Sequence, residues 1–125
     1  MKTILLTDDN QDMIDLVLLV LKDSGYKLIT AHDGKEAVNI CLEQKPDLVL
    51  MDLKMPNMDG FHATMVLRDK GFTSPIIVLT GSESESDRKK ASEVGCNEYI
   101  LKTLAMDDVE DIVDRYLYDT STSSL

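Results

Sequence analysis

The chain has 125 residues, 43% of them apolar, with 13 Lys and Arg against 23 Asp and Glu and a formal net charge of −10. That length holds one domain with one real core, and the mixture of apolar and charged residues is that of a soluble globular chain. The negative balance argues against non-specific binding to DNA or RNA, which depends on neutralising phosphates with Lys and Arg, and it disfavours an anionic membrane surface.

Short apolar strands alternate with helical segments along the chain. Lys2 to Thr7 reads as a strand, and Asn10 to Ser24 as a helix closed by Gly25. Lys27 to Ala31 is a strand, and Gly34 to Gln44 a helix that stops before Pro46. Asp47 to Met51 is a strand, followed by a loop through Met55, Pro56, Asn57 and Met58. Asp59 caps a helix that runs to about Lys70 and ends at Gly71. Ser74 and Pro75 open a strand to Leu79, and the polar run from Ser82 to Asp87 leads into a helix ending near Gly95. Asn97 to Leu101 is the last strand and Met106 to Tyr118 the last helix. Residues 1–119 form one domain, and the small polar residues 120–125 read as a disordered tail. Five strand–helix units of this kind predict a parallel sheet covered on both faces, with right-handed crossovers. Strand order does not follow from the pattern.

Neither an export signal nor a membrane span is visible. Met1 and Lys2 lead at once into a strand, and the apolar run from Met13 to Leu21 is too short and is broken by Asp15. Cys41 and Cys96 have no CxxC partner and read as free thiols of a reducing cytosol.

The chemistry concentrates where the strands end. The first strand runs into Asp8 and Asp9, the third into Asp52, the fourth into Thr80 and the fifth into Lys102. Ligands of an open parallel sheet bind beyond the carboxyl ends of its strands. Three carboxylates brought together there repel one another unless a cation joins them. A lysine and a hydroxyl beside them suit a phosphoryl group.

Thr7-Asp8-Asp9-Asn10, the run Met51-Asp52-Leu53-Lys54-Met55-Pro56-Asn57-Met58-Asp59-Gly60, Thr80-Gly81 and Lys102 together resemble the receiver domain of two-component response regulators, from Lys2 to about Tyr118. The resemblance implies a flavodoxin-like doubly wound (βα)5 fold with a five-stranded parallel sheet of order 2-1-3-4-5. It implies that Asp52 accepts a phosphoryl group from a sensor histidine kinase or a histidine phosphotransfer protein, and that the chain takes part in its own phosphorylation and dephosphorylation rather than being an enzyme. Mg²⁺ is the implied cofactor, held by Asp8, Asp9, Asp52 and the backbone carbonyl of Lys54. Thr80 and Lys102 would hold the phosphoryl oxygens, Gly81 would leave the site open, and Tyr99 would turn inward behind Thr80. Lys54 and Ser82 occupy positions that tune dephosphorylation in the family. The readout surface would be the fourth helix, fifth strand and fifth helix, facing a protein target, with no nucleic acid and no membrane as partner and a cytoplasmic location.

Further readings qualify that resemblance. In the first helix, Met13, Val17, Val20 and Leu21 are expected to face the sheet, and Ile14 and Leu18 to lie at an exposed margin. Met13, Ile14 and Leu18 are then the docking face for a histidine-bearing helical partner. Thr103 follows Lys102 where the family usually has a cis-proline; a cis bond before Thr costs roughly 2.5–4 kcal/mol, so a trans bond with a rerouted loop from Thr103 to Ala105 is expected. The missing proline also keeps open an interaction module of receiver shape that works without phosphorylation. A haloacid-dehalogenase-type phosphatase would need an acid at position 54, which is Lys54. A chemotaxis-type switch and a phosphorelay intermediate share this chemistry and both stand. The chain stops soon after the last helix, so it either acts by docking or is a piece of a longer regulator.

Overall fold

Five short apolar strands, β1 (Thr3–Thr7), β2 (Lys27–Ala31), β3 (Leu48–Met51), β4 (Ile76–Thr80) and β5 (Glu98–Leu101), form one parallel sheet in the order β2-β1-β3-β4-β5. The structure, a computed structural model, describes residues 1–103 and 106–123, with the side chains of 107 and 119–123 left out. The intervening helices are α1 (Gln11–Leu21), α2 (Gly34–Gln44), α3 (Gly60–Asp69), α4 (Glu85–Val94) and α5 (Met106–Ser123). The fold is the flavodoxin-like α/β arrangement, in the order the resemblance implied.

Strand alternation divides the core into two layers. Ile4, Leu6, Leu48, Leu50, Ile77, Leu79 and Ile100 pack with Val17 and Leu21 of α1 and with Val109, Val113 and Leu117 of α5. On the opposite face, Leu5, Val49, Met51 and Ile76 pack with Ala37, Val38 and Cys41 of α2 and Ala63 and Leu67 of α3. Leu53, Val78 and Ala91 of α4 complete that face with partly buried Tyr99 and Phe61. Each fully buried Leu or Ile contributes about 1.5–3 kcal/mol. The central strands are therefore the rigid part of the molecule, and their carboxyl ends are fixed with them.

Local signals set the helix ends. The side chain of Asn10 accepts from the backbone of Asp12 and Met13, so Asn10 is the cap of α1, and Asp8 and Asp9 are spared that task. Asp33 caps α2, Asp59 caps α3 and Ser84 caps α4. The left-handed residue Gly95 (φ 112°) closes α4. Arg68 of α3 donates to the backbone carbonyls of Gly95, Phe72 and Ser74 and to Oδ1 of Asn97, at 2.7–3.1 Å. One side chain thus joins α3 to the end of α4 and the start of β5.

Two expectations change. The last helix was read as ending at Tyr118, but the backbone continues as helix to Ser123; no glycine or proline interrupts residues 119–123. Of the tail expected to be disordered, residues 124–125 lie outside the described residues. The inward stripe of α1 is Ile14, Val17 and Leu21. Ile14 was placed at the exposed margin, yet it is 2% exposed. With Leu6, Asp8, Leu50 and Leu79 it lines a small cavity under the strand ends. Positions 14, 17 and 21 share one helical face, which turns Leu16 and Leu19 outward, at 41% and 59% exposure. Met13, Leu18 and Val20 are partly buried at the edges.

Candidate functional site

The ladder itself brings the acids together. Asp8 N–H donates to the Ala31 carbonyl at 3.2 Å, and Asp52 N–H donates to the Thr7 carbonyl at 3.0 Å. β1 and β3 therefore deliver their acids at the same level. Ligand atoms of Asp8, Asp9 and Asp52 lie within 4.8 Å of one another. Asp8 and Asp52 are both 6% exposed, whereas Asp9 faces solvent. From β5, Lys102 N–H donates to the Thr80 carbonyl at 2.8 Å. Its side chain turns back over the sheet, and Nζ lies 2.8 Å from Oδ2 of Asp8 and 3.1 Å from Oδ2 of Asp52.

The two oxygens of Asp52 have different work. Oδ1 accepts from Leu53 N–H at 2.8 Å, and Oδ2 faces Lys102. Burial, and then the charge of Asp8, raise the Asp52 carboxyl above its usual range, and Lys102 offsets this only in part. Burial works against the Lys102 ammonium, but its bonds and charge contacts with Asp8 and Asp52 prevail and raise its pKa. Lys102 is thus a fixed cation inside an acidic cluster. The donor set is three carboxylates, hard oxygen ligands with one open to water, which is the chemistry a small divalent cation prefers. An acidic pocket of Asp8, Asp9 and Asp52 that can hold a metal is therefore present.

Thr80 and Tyr99 meet through Ser82. Thr80 is 2% exposed, and its Oγ1 accepts from Ser82 N–H at 3.4 Å. Tyr99 Oη donates to the Ser82 carbonyl at 2.9 Å. A methyl group at Gly81 would meet nothing within 4 Å, so the site is open on that side. Lys54 projects into solvent. Among the described residues there is no cis peptide bond; the Lys102–Thr103 bond is trans, and Lys102 still reaches Asp52. Leu104 and Ala105, where a rerouted loop was expected, lie outside the described residues.

Three contacts around the site were not anticipated. The Arg88 guanidinium lies 4.4 Å from the centroid of the Tyr99 ring. Ser82 Oγ donates to Asp87 at 2.6 Å, bracing the β4–α4 loop. Asn57 donates to Asp33 at 2.8 Å across two loops. The residue types were visible in the sequence, as Asp33-Gly34 and Pro56-Asn57 turn signals. Their pairing across 24 residues was not. Cys41 and Cys96 are free; burial pushes the Cys41 thiol up to about 12 and raises Cys96, so neither is a nucleophile near neutrality.

Comparison with known proteins agrees with this geometry. The response regulator receiver domain matches residues 4–114. The chain is 35% identical over 108 residues to the alkaline phosphatase synthesis transcriptional regulatory protein PhoP of Bacillus subtilis, covering 86% of this chain and 45% of that protein. It therefore spans less than half the length of that relative. Chemotaxis protein CheY4 of Vibrio cholerae superposes with a TM-score of 0.85 at 27% identity, covering 93% of this chain and 98% of that one. A CheY-like receiver domain protein from Methanospirillum hungatei JF-1 superposes with a TM-score of 0.90, covering 98% of both chains; at 23% identity it supports the fold alone. The family match reaches from β1 into α5 and takes in every strand end that carries the cluster, and the chain belongs to the response regulator receiver domain family.

Proposed function

We propose that the chain is a phosphoacceptor in a two-component phosphorelay, and that Asp52 takes its phosphoryl group from the phosphohistidine of a sensor histidine kinase or a histidine phosphotransfer protein. The observation that carries this is the division of labour at Asp52: Leu53 N–H holds Oδ1, while Oδ2 faces Lys102 and the acids of β1. Oδ2 is then the attacking oxygen. It forms the new bond to phosphorus as the phosphorus–nitrogen bond to the donor imidazole breaks, leaving an acyl phosphate on Asp52. Lys102 is already 3.1 Å from Oδ2 and would pass to an oxygen of the arriving group, exchanging one anion for another. Thr80 would offer its hydroxyl to a second oxygen. Asp8, Asp9, Asp52 and the Lys54 carbonyl would hold Mg²⁺, which would neutralise charge shared by the carboxylates and the phosphoryl oxygens. The chain acts on itself and turns over no separate substrate.

The added group carries close to two negative charges. Ser82 links Thr80 to Tyr99, so a movement of Thr80 reaches the ring and the surface of α4, β5 and α5, where a protein target docks. The donor protein would meet the site over the edge of α1, at Met13 and Leu18, with the outward Leu16 and Leu19 beside them. Among the described residues no helix is long and apolar enough to cross a membrane. A cytoplasmic location belongs to this proposal.

The test is amide NMR with Mg²⁺ and beryllofluoride, a mimic of the phosphoryl group. Shifts are expected first at residues 52–54, 80–82 and 102, and then across α4 and β5. Shifts confined to the surface, or unchanged by chelation of Mg²⁺, would contradict the proposal.

A further inference from the structure

The loop between Asp52 and α3 contains a strained turn. Met58 N–H donates to the Pro56 carbonyl at 2.7 Å, closing a three-residue turn around Asn57, whose φ is 67°. Positive φ in a residue other than glycine persists where the surroundings hold it, and such positions gather at functional sites. Met55 and Met58 pack partly against the core, but Lys54, Pro56, Asn57 and Asp59 are exposed, so packing does not reach Asn57 itself. Two ties to the start of α2 hold the turn. Gly34 N–H donates to the Met58 carbonyl at 3.0 Å, so close that a Cβ on residue 34 would lie 2.2 Å from that oxygen. Asn57 Nδ2 donates to Asp33 Oδ2 at 2.8 Å.

Asp33 is a firm anchor. Its Oδ1 caps α2 by accepting from Glu36 N–H at 2.8 Å, while Glu36 in turn accepts from His32 N–H at 3.0 Å. One carboxylate therefore spends one oxygen on the helix and the other on the turn. The loop so held begins with Leu53 N–H on Asp52 Oδ1 and includes the Lys54 carbonyl. At its far end, Gly60 N–H donates to the Leu53 carbonyl at 2.8 Å.

We propose that Asp33 and Asn57 are a positioning pair for the acceptor site: the bond between them holds the loop from Leu53 to Asp59 in the shape that presents Asp52 and the Lys54 carbonyl to a divalent cation. Neither residue touches the reacting atoms. The proposal rests on the phosphoacceptor reading and adds two residues outside its site.

The pair can be broken without uncapping α2. Asp33→Ser keeps a capping oxygen for Glu36 N–H but leaves Asn57 without its acceptor. Asn57→Gly keeps the positive φ and removes the donor. The swap Asp33→Asn with Asn57→Asp restores the bond in the opposite direction at unchanged charge. Mg²⁺ alone is titrated into each protein, followed by the amide shifts of residues 52–54. Each single variant is expected to bind Mg²⁺ roughly two- to tenfold more weakly, the span of one net hydrogen bond, and the swap to recover most of that loss. Wild-type affinity in both single variants, or a swap that binds no better than they do, would overturn the proposal while leaving the phosphoacceptor reading intact. Absence of Mg²⁺ binding to the unaltered protein would overturn both.

Discussion

Asp52 is held in a way that favours chemistry over stability. Its carboxyl is raised by burial and by Asp8, so the ionised form works against the fold. A carboxyl whose folded pKa lies above its unfolded value stabilises below the unfolded value, ordinarily 3.8, and loses that contribution as pH rises through the folded one. Asn at this position loses nothing over that window. Without metal, Asp52→Asn is expected to melt a few degrees above the wild type at pH 7, with the gap closing toward pH 3; a lower melting temperature at pH 7 would count against the strained carboxylate. Lys102 shifts in the same direction but in a window far above neutrality. Its raised pKa means that its stabilisation is complete below the ordinary value of 10.5 and is lost only as pH rises through the folded value. Lys102→Met leaves Asp8 and Asp52 facing each other and is expected to cost about 1–3 kcal/mol at pH 7, less than a fully buried pair because water reaches the ammonium. Chemical denaturation at several pH values should show that loss shrinking in acid, where the carboxyls protonate. The types and positions of these residues were legible in the sequence, because each stands one residue past an apolar strand. The bridge from Lys102 to both acids was not, because it depends on how a side chain turns over the sheet end.

At the scale of elements, the strands and most helix ends follow from apolar runs, from the cap Asp59 and from Gly71 and Gly95, whereas the caps Asp33 and Ser84 came with the fold. The orientation of α1 was harder to read. Its residues from Met13 to Leu21 are apolar on nearly every side, so no single stripe stands out, and only the seating of the helix on the sheet selects Ile14. Two substitutions separate its roles. Ile14→Ala is expected to cost about 2–4 kcal/mol. Leu19→Asp should change stability little, yet slow phosphotransfer from a histidine-bearing protein far more than from acetyl phosphate; equal slowing of both would remove α1 from the docking surface. The contact of α3 with the acceptor loop is closer still. A Cβ on Gly60 would lie 2.2 Å from the Asp52 carbonyl oxygen. Gly60→Ala must move the loop or the helix, an overpacking cost of roughly 1–3 kcal/mol, and should reduce phosphorylation of Asp52 in the fraction that still folds. Normal melting and normal labelling together would show that the close approach is not needed.

Across the whole molecule, two apolar layers fix the sheet, and the sheet order sets β1 and β3 side by side with β4 and β5 beyond them. Two acids, the acceptor, a hydroxyl and a lysine converge because four strands end together. This much was legible before any coordinates, since a parallel sheet places its ligands at one edge. The strand order came with the family resemblance, and the contacts that brace the loops, Asp33 with Asn57 and Arg68 with Gly95 and Asn97, came only with the fold. The most direct test of the account is to incubate the protein with Mg²⁺ and a phosphoryl donor, either acetyl phosphate or a phosphorylated histidine kinase, and to locate the label by peptide mass spectrometry after borohydride trapping of the acyl phosphate. The account predicts label on Asp52 alone, lost on chelation of Mg²⁺ and lost in Asp52→Asn. Label that persists in Asp52→Asn, or that is indifferent to chelation, would contradict it.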